Sequence, residues 1–143
     1  MMKKKVFSKK FLLAALAVFM LSFTVNAESL WFRAYKYAIK EKTESNRNNS
    51  TGWSNWIECD VPIEFQMDDD IIVIYSNKTQ IYAIYENMGT YNDRDGGKQQ
   101  GYYVLDQDLD KGTLRLRIMK DGTSQIYIDF NDVGWVYNVV RTK

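Results

Sequence analysis

Apolar side chains recur at every second position along most of this chain, and that alternation is the feature that most constrains its fold. From Ile57 to Met67 the apolar residues occupy the odd positions, while acids, an amide and Pro62 occupy the even ones. A period of two is typical of a β-strand that buries one face. Eight segments have this pattern or are short apolar runs of strand length. They are Leu30–Lys40, Trp56–Met67, Ile71–Tyr75, Gln80–Tyr85, Tyr102–Asp106, Thr113–Met119, Gln125–Phe130 and Trp135–Arg141.

Two of these predicted strands leave alternatives open. The first, Leu30–Lys40, also fits a helix, because Trp31, Tyr35 and Ile39 fall on one helical face. The second contains Pro62, which has no N–H to donate to a neighbouring strand. We therefore expect that strand to lie on a sheet edge or to break at the proline.

The connections between the predicted strands are mostly short and polar. Two longer polar stretches, Glu41–Gly52 and Glu86–Gly101, are predicted to be loops. Short connections between consecutive strands favour an all-β, antiparallel up-and-down meander of about eight strands, which protects its edges by closing into a small β-barrel. A two-sheet β-sandwich is the alternative. The interior of such a barrel is either filled by side chains or holds one small ligand.

The first 27 residues predict export. Met1–Ala27 begins with five lysines, continues with an apolar run from Phe11 to Leu21, and has small residues at its last and third-last positions. This is the organisation of a secretory signal peptide. The apolar run is shorter than the roughly 20 residues of a membrane-spanning helix, so an uncleaved membrane anchor is the less favoured alternative. We expect a signal peptide at 1–27 and a single all-β domain at 28–143, periplasmic or secreted.

The mature chain is slightly acidic and contains no histidine. Its 14 basic residues stand against 18 acidic ones, a formal net charge of −4, because five lysines belong to the predicted leader. It has no basic stripe to neutralise phosphates, so nucleic acid is not an expected partner. Without histidine the chain lacks the commonest general base and zinc ligand, and we expect it not to be an enzyme. Its one cysteine, Cys59, is predicted to be a small buried residue on the apolar side of its strand.

Aromatic residues give the clearest indication of a binding surface. Most should pack inside the sheet or pair across strands, but some lie in or beside predicted loops. Exposed together, these would form a contact patch for a protein partner, a glycan or an apolar ligand. The candidate binding residues are Trp53, Trp56, Tyr91, Tyr102, Tyr103 and Trp135.

One acidic turn resembles a cation site. Asp106, Asp108 and Asp110 stand at alternate positions of a short loop, and hard cations such as Ca²⁺ take several carboxylate oxygens from such loops. Aligned with an EF-hand, however, the loop carries Lys111 where glycine is needed and Arg117 where the bidentate acid is needed. A solvated hairpin turn is therefore the simpler interpretation, with Ca²⁺ binding as the alternative and no other cofactor expected.

A carboxylate-based hydrolase is the enzymatic alternative. Glu58, Asp60 and Glu64 share the polar face of one predicted strand. Paired carboxylates hydrolyse glycosides when an apolar environment raises the pKa of one of them. The apolar residues lie on the opposite face of this strand, so exposed acids are the simpler interpretation.

The chain resembles a group of small exported bacterial β-proteins, and its layout is similar to that of the calycin group, which includes the lipocalins. The resemblance implies a barrel-like fold and a cell-envelope location, and it implies no activity. The Gly-x-Trp signature of lipocalin first strands is missing, because Gly52 and Trp53 are adjacent. The features that carry the resemblance are the Trp53/Trp56 pair, Ile71–Tyr75, Gln80–Ile84, the Asp106–Gly112 turn and Ile126–Ile128.

These observations predict an exported, non-enzymatic binding module of the bacterial cell envelope. It would hold a protein or a small ligand with its loop aromatics and the barrel mouth. One version is an inhibitor that blocks an envelope enzyme with an acidic loop. A carboxylate-based hydrolase or a structural component of the envelope would also fit the pattern. Contact with a membrane is expected only through an unprocessed leader.

Overall fold

A computed structural model describes residues 29–41 and 52–143, which form one closed antiparallel barrel. Each strand pairs with the next along the chain, and the last closes on the first. The predicted up-and-down barrel is therefore confirmed, and the sandwich and the helical interpretation of the first strand are wrong. The predicted leader lies outside the described residues. The strands are β1 Leu30–Glu41, β2 Ile57–Gln66, β3 Ile71–Ile74, β4 Gln80–Asn92, β5 Lys98–Leu105, β6 Lys111–Ile118, β7 Ser124–Asp129 and β8 Val133–Arg141.

The hydrophobic core is the interior of the barrel. Alternate residues of every strand point inward, as the period of two predicts. Within the described part of the chain, every residue classed as buried is hydrophobic or glycine. The buried core residues are Phe32, Ala34, Ile63, Phe65, Ile72, Ile74, Tyr82, Tyr102, Val104, Leu114, Ile126, Ile128, Tyr137 and Val139.

Strand β3 is much shorter than its two neighbours. It has four residues, whereas β2 has ten and β4 has thirteen. The β2–β3 ladder therefore covers only residues 63–66 of β2. Pro62 is the residue just before this ladder, and its carbonyl accepts a hydrogen bond from Tyr75 N at 2.9 Å, beyond the end of β3. The closed barrel has no edge strand, but the β2–β3 ladder ends at the proline, because residue 62 has no N–H to return a hydrogen bond to Tyr75.

The predicted loop at Glu86–Gly101 is wrong. Strand β4 continues to Asn92 and β5 begins at Lys98, so most of this segment is a long hairpin. Two bulges interrupt the β4–β5 register, and Gly89 occupies the second with a φ of +85°, a conformation that suits glycine. The polar side chains that favoured a loop bond across the strands instead: Gln100 Nε2 donates to Asn87 Oδ1 at 2.6 Å.

The meander places its connections alternately at the two ends of the barrel. We call one of these ends the mouth end. It carries the segment 52–56 and the turns 75–79, 106–110 and 130–132. The remaining turns and the C-terminal residues lie at the opposite end.

Candidate functional site

The mouth end of the barrel contains a cavity of about 830 Å³. Its inner wall consists of inward-facing side chains that also pack against the core, among them Tyr37, Cys59 and Val61. Ligand pockets usually enclose about 300–1,000 Å³. This cavity is therefore the candidate functional site. Its lining residues are Tyr37, Ile39, Glu58, Cys59, Asp60, Val61, Tyr75, Ser76, Asn77, Lys78, Gln80, Tyr82, Val133, Trp135 and Tyr137.

Two features of the strands explain why the barrel is open here. Strand β3 ends at Ile74, so the first half of β2 pairs with no described strand on that side. This leaves a gap in the barrel wall. The pairing of β1 shifts register between Ala34 and Lys36, which brings Tyr37 and Ile39 to the cavity. The other half of the barrel interior is filled by the core.

A short chain of hydrogen bonds crosses the cavity wall and centres on Gln80. Its Oε1 accepts a hydrogen bond from the Tyr82 hydroxyl at 2.6 Å. Its Nε2 donates to the Tyr137 hydroxyl oxygen at 3.2 Å and to Ser76 Oγ at 3.0 Å. One side chain therefore fixes the orientation of two phenols in the wall.

Burial favours the neutral forms of three ionisable side chains of the inner wall, Cys59, Tyr82 and Tyr137. Burial raises the pKa of Tyr82, with smaller contributions from Tyr137 and Asp106, and burial also raises the pKa of Tyr137. Burial, followed by the charge of Asp60, raises the pKa of the Cys59 thiol. A wall that disfavours charge in this way is suited to an uncharged ligand surface.

Trp135 lies in this wall and not in an exposed loop. Its ring stacks on Phe130 with centroids 6.2 Å apart. Its Nε1 atom is buried and has no hydrogen bond of good geometry to a described residue. The indole N–H still acts on the Tyr137 hydroxyl oxygen, and this contact counteracts part of the rise in the pKa of that phenol. The predicted binding role of Trp135 fits its position, but its predicted exposure beside a loop does not.

The six predicted aromatic residues do not form one patch. Tyr102 is a core residue of β5 with only 5% of its surface exposed, so its predicted exposure is wrong. Trp53 packs on the outside of the barrel, its ring 6.4 Å from that of Tyr127. Trp56 is exposed at the mouth end just before β2, whereas Tyr91 is exposed near the far end of β4. Tyr103 packs against Tyr85 with their rings 6.1 Å apart.

Sequence reasoning missed three of the phenols that line the cavity, Tyr37, Tyr82 and Tyr137. A usable signal existed for the last of these. Trp135, Tyr137 and Val139 alternate along β8, so all three belong to one face, and the apolar Val139 marks that face as the inner one. The position of the cavity itself had no such signal, because it depends on the length of β3.

The three acids of the hydrolase alternative do not converge. Glu64 accepts hydrogen bonds from Ser29, Gln66 and Tyr75 on the outer face of the barrel. Burial would raise its pKa, but these three hydrogen bonds together lower it. Asp60 forms an ion pair with Arg33, and Glu58 lies with Asp60 at the cavity rim. A general acid needs a raised pKa, which is the opposite of what Glu64 has.

The acidic turn brings its three carboxylates close together but closes without a cation. Asp106, Asp108 and Asp110 place oxygen atoms within 4.8 Å of one another. Asp106 Oδ1 accepts hydrogen bonds from the backbone N–H groups of Asp108 and Asp110, each at 2.9 Å. These bonds account for the conformation of the turn. With one oxygen from each carboxylate the turn would supply three of the six to eight ligands that Ca²⁺ takes, and Ca²⁺ binding stays an untested prediction.

Comparisons with other proteins add no functional assignment. No known protein family, curated protein or solved structure matches the chain. In the two stretches that the structure describes, no helix is long and apolar enough to cross a membrane. What these stretches define is a closed eight-stranded barrel with a cavity at one end.

Proposed function

We propose that the mature chain is a non-enzymatic binding protein that holds a small, mostly apolar ligand in the mouth of its barrel. The observation that carries this proposal is the end of the barrel that residues 29–41 and 52–143 leave unfilled, about 830 Å³ in volume. Folding normally packs a protein interior to the density of an organic crystal. A barrel that is closed and filled at one end and open at the other therefore supports a binding role.

The chemistry of the lining supports an apolar ligand. Ile39, Val61 and Val133 provide aliphatic surface, and the rings of Tyr37 and Trp135 provide flat aromatic surface. Polar side chains also line the cavity, among them the acids of its rim and the residues of the 75–79 turn, and such groups orient a ligand that is bound mainly through apolar contact. The carboxylates at the rim give no comparable support to a hydrolase.

Probe binding tests this proposal. We expect N-phenyl-1-naphthylamine, a neutral apolar dye, to bind saturably with one dye per chain, because the cavity is a single apolar site. Val61→Trp adds a large ring to the cavity wall and should weaken binding about tenfold or more. Titrations followed by dye fluorescence measure both effects.

The matched control for this titration is Val140→Trp. Val140 is 51% exposed on β8 and does not line the cavity, so the same ring placed there should leave dye affinity unchanged. Circular dichroism verifies that both variants keep the strand-rich fold. Absence of saturable dye binding to the unmodified protein, or equal losses in the two variants, would contradict the proposal.

We also propose that this binding protein acts outside the cytoplasm, in the periplasm or as a secreted protein. The support is the basic and apolar organisation of residues 1–27. Expression of the full chain in a bacterium should yield a processed product that begins at Glu28. Intact-mass measurement of the periplasmic and secreted fractions checks this, and a product that retains all 27 residues would contradict it.

A further inference from the structure

We propose that the ligand carries an uncharged oxygen that accepts a hydrogen bond from the Tyr137 hydroxyl. This inference rests on the proposed function, since it specifies what the cavity binds. It follows from a donor that the cavity wall leaves unused. The rest of the ligand is the apolar body already described.

The donor is the hydroxyl proton of Tyr137. Gln80 donates to the oxygen of this hydroxyl, so the oxygen acts as an acceptor there and its own proton is not used in that bond. Trp135 acts on the same oxygen as a donor, so that contact does not use the proton either. Tyr82 differs, because its proton is already donated to Gln80. Tyr82 and Tyr137 are the two buried phenols that hydrogen-bond to Gln80. Of these, only Tyr137 has a hydroxyl proton left to donate to a ligand.

The charges around the cavity favour a neutral oxygen over a carboxylate. Lys78 is the only cation among the lining residues, and it lies in the exposed β3–β4 turn. The acids Glu58 and Asp60 stand at the rim, where they would repel a ligand anion. A ligand cation would instead face the Tyr137 O–H donor, whose positive end repels it. The cavity wall therefore matches a ketone, ester, ether or alcohol.

Four probes with one aromatic body separate these ligand classes: 2-acetylnaphthalene, 2-ethylnaphthalene, 2-naphthoate and trimethyl(2-naphthylmethyl)ammonium. We expect the ketone to bind about three- to tenfold more tightly than the hydrocarbon, since it gains a hydrogen bond. The naphthoate and the ammonium compound should bind more weakly than the ketone. Competition against N-phenyl-1-naphthylamine measures all four affinities.

Tyr137→Phe should remove the advantage of the ketone over the hydrocarbon and leave hydrocarbon binding intact. The control is Tyr82→Phe, which deletes a hydroxyl from the same cavity wall but one whose proton Gln80 already uses, so the ketone should keep its advantage. The comparison of the four probes on the unmodified protein needs no variant to fold.

The outcomes distinguish this inference from the proposed function. If neither the ketone nor the hydrocarbon binds, the proposed function fails. If both bind equally, or if the ketone keeps its full advantage in Tyr137→Phe, the cavity binds apolar ligands but the inference is overturned. Tightest binding by the naphthoate or the ammonium compound would overturn it as well.

Discussion

Replacing Phe65 by alanine is expected to lower the free energy of unfolding by about 3–5 kcal/mol, the usual cost of deleting a fully buried phenyl ring. Phe65 has no exposed surface and lies between two aromatic rings inside the barrel. Its ring centroid is 5.4 Å from that of Phe32 and 6.3 Å from that of Tyr102. Its loss would leave a void that rigid strands cannot close. Since small domains are stable by only about 5–15 kcal/mol, the variant should be marginal at 37 °C.

Urea unfolding of the mature chain measures this difference, provided that both proteins unfold with the same dependence on urea. Trp56→Ala is the control, because Trp56 is 46% exposed before β2 and its removal should change the free energy of unfolding by no more than about 0.5 kcal/mol. A loss below about 1 kcal/mol for Phe65→Ala would mean that the filled half of the barrel is not packed around this ring.

The number and order of the strands could be predicted because each strand carries its own signal. Alternation marks the buried face, and turns rich in glycine, asparagine and aspartate separate the strands. In β6, for example, Leu114 and Leu116 alternate with Arg115 and Arg117, and Leu114 is fully buried. With short connections, the sequential meander then follows. Closure of the barrel also follows, because it removes the unpaired edges.

The long β4–β5 hairpin could not be predicted in this way. Its tip region is polar and contains glycine, so its composition favours a loop. In the structure, Asn87 and Thr90 bond to Gln100 on the opposite strand, and Gly89 accommodates a bulge. The strand conformation there depends on the partner strand and not on a buried face. Such cross-strand pairing is not visible in a local pattern.

The sequence predicts which kind of surface would form a candidate site, but it does not predict where in the barrel the cavity lies. The sequence indicated that aromatic residues and a barrel mouth would form the binding surface, and Trp135 does line the cavity. It did not indicate that Tyr102 would be buried in the core. The cavity arises from the short β3 and the register shift in β1, and neither affects hydrophobic alternation. Side-chain identity alone therefore cannot distinguish the filled half of the barrel from the open half.

Ligand binding is expected to protect the single cysteine of the chain from alkylation. Cys59 lines the cavity, so a reagent such as N-ethylmaleimide reaches it only when the cavity is empty. At a dye concentration of about 100 times its Kd, roughly one cavity in a hundred is empty. Labelling of Cys59 should therefore slow by about 100-fold when N-phenyl-1-naphthylamine is added. Mass spectrometry of samples taken during the reaction measures both rates.

Slow labelling without dye would not by itself identify the cavity, because the thiolate is the reactive form and burial raises the pKa of Cys59 above its usual value near 9.0. The labelling rate should keep rising with pH beyond that value, whether or not a ligand binds. A double variant, Cys59→Ser with Val140→Cys, places the thiol on the exposed outer face of β8 and provides the comparison. Its labelling should be faster and insensitive to dye. Equal protection of both thiols would show that the dye coats the surface, whereas protection of Cys59 alone requires the ligand to sit inside the barrel.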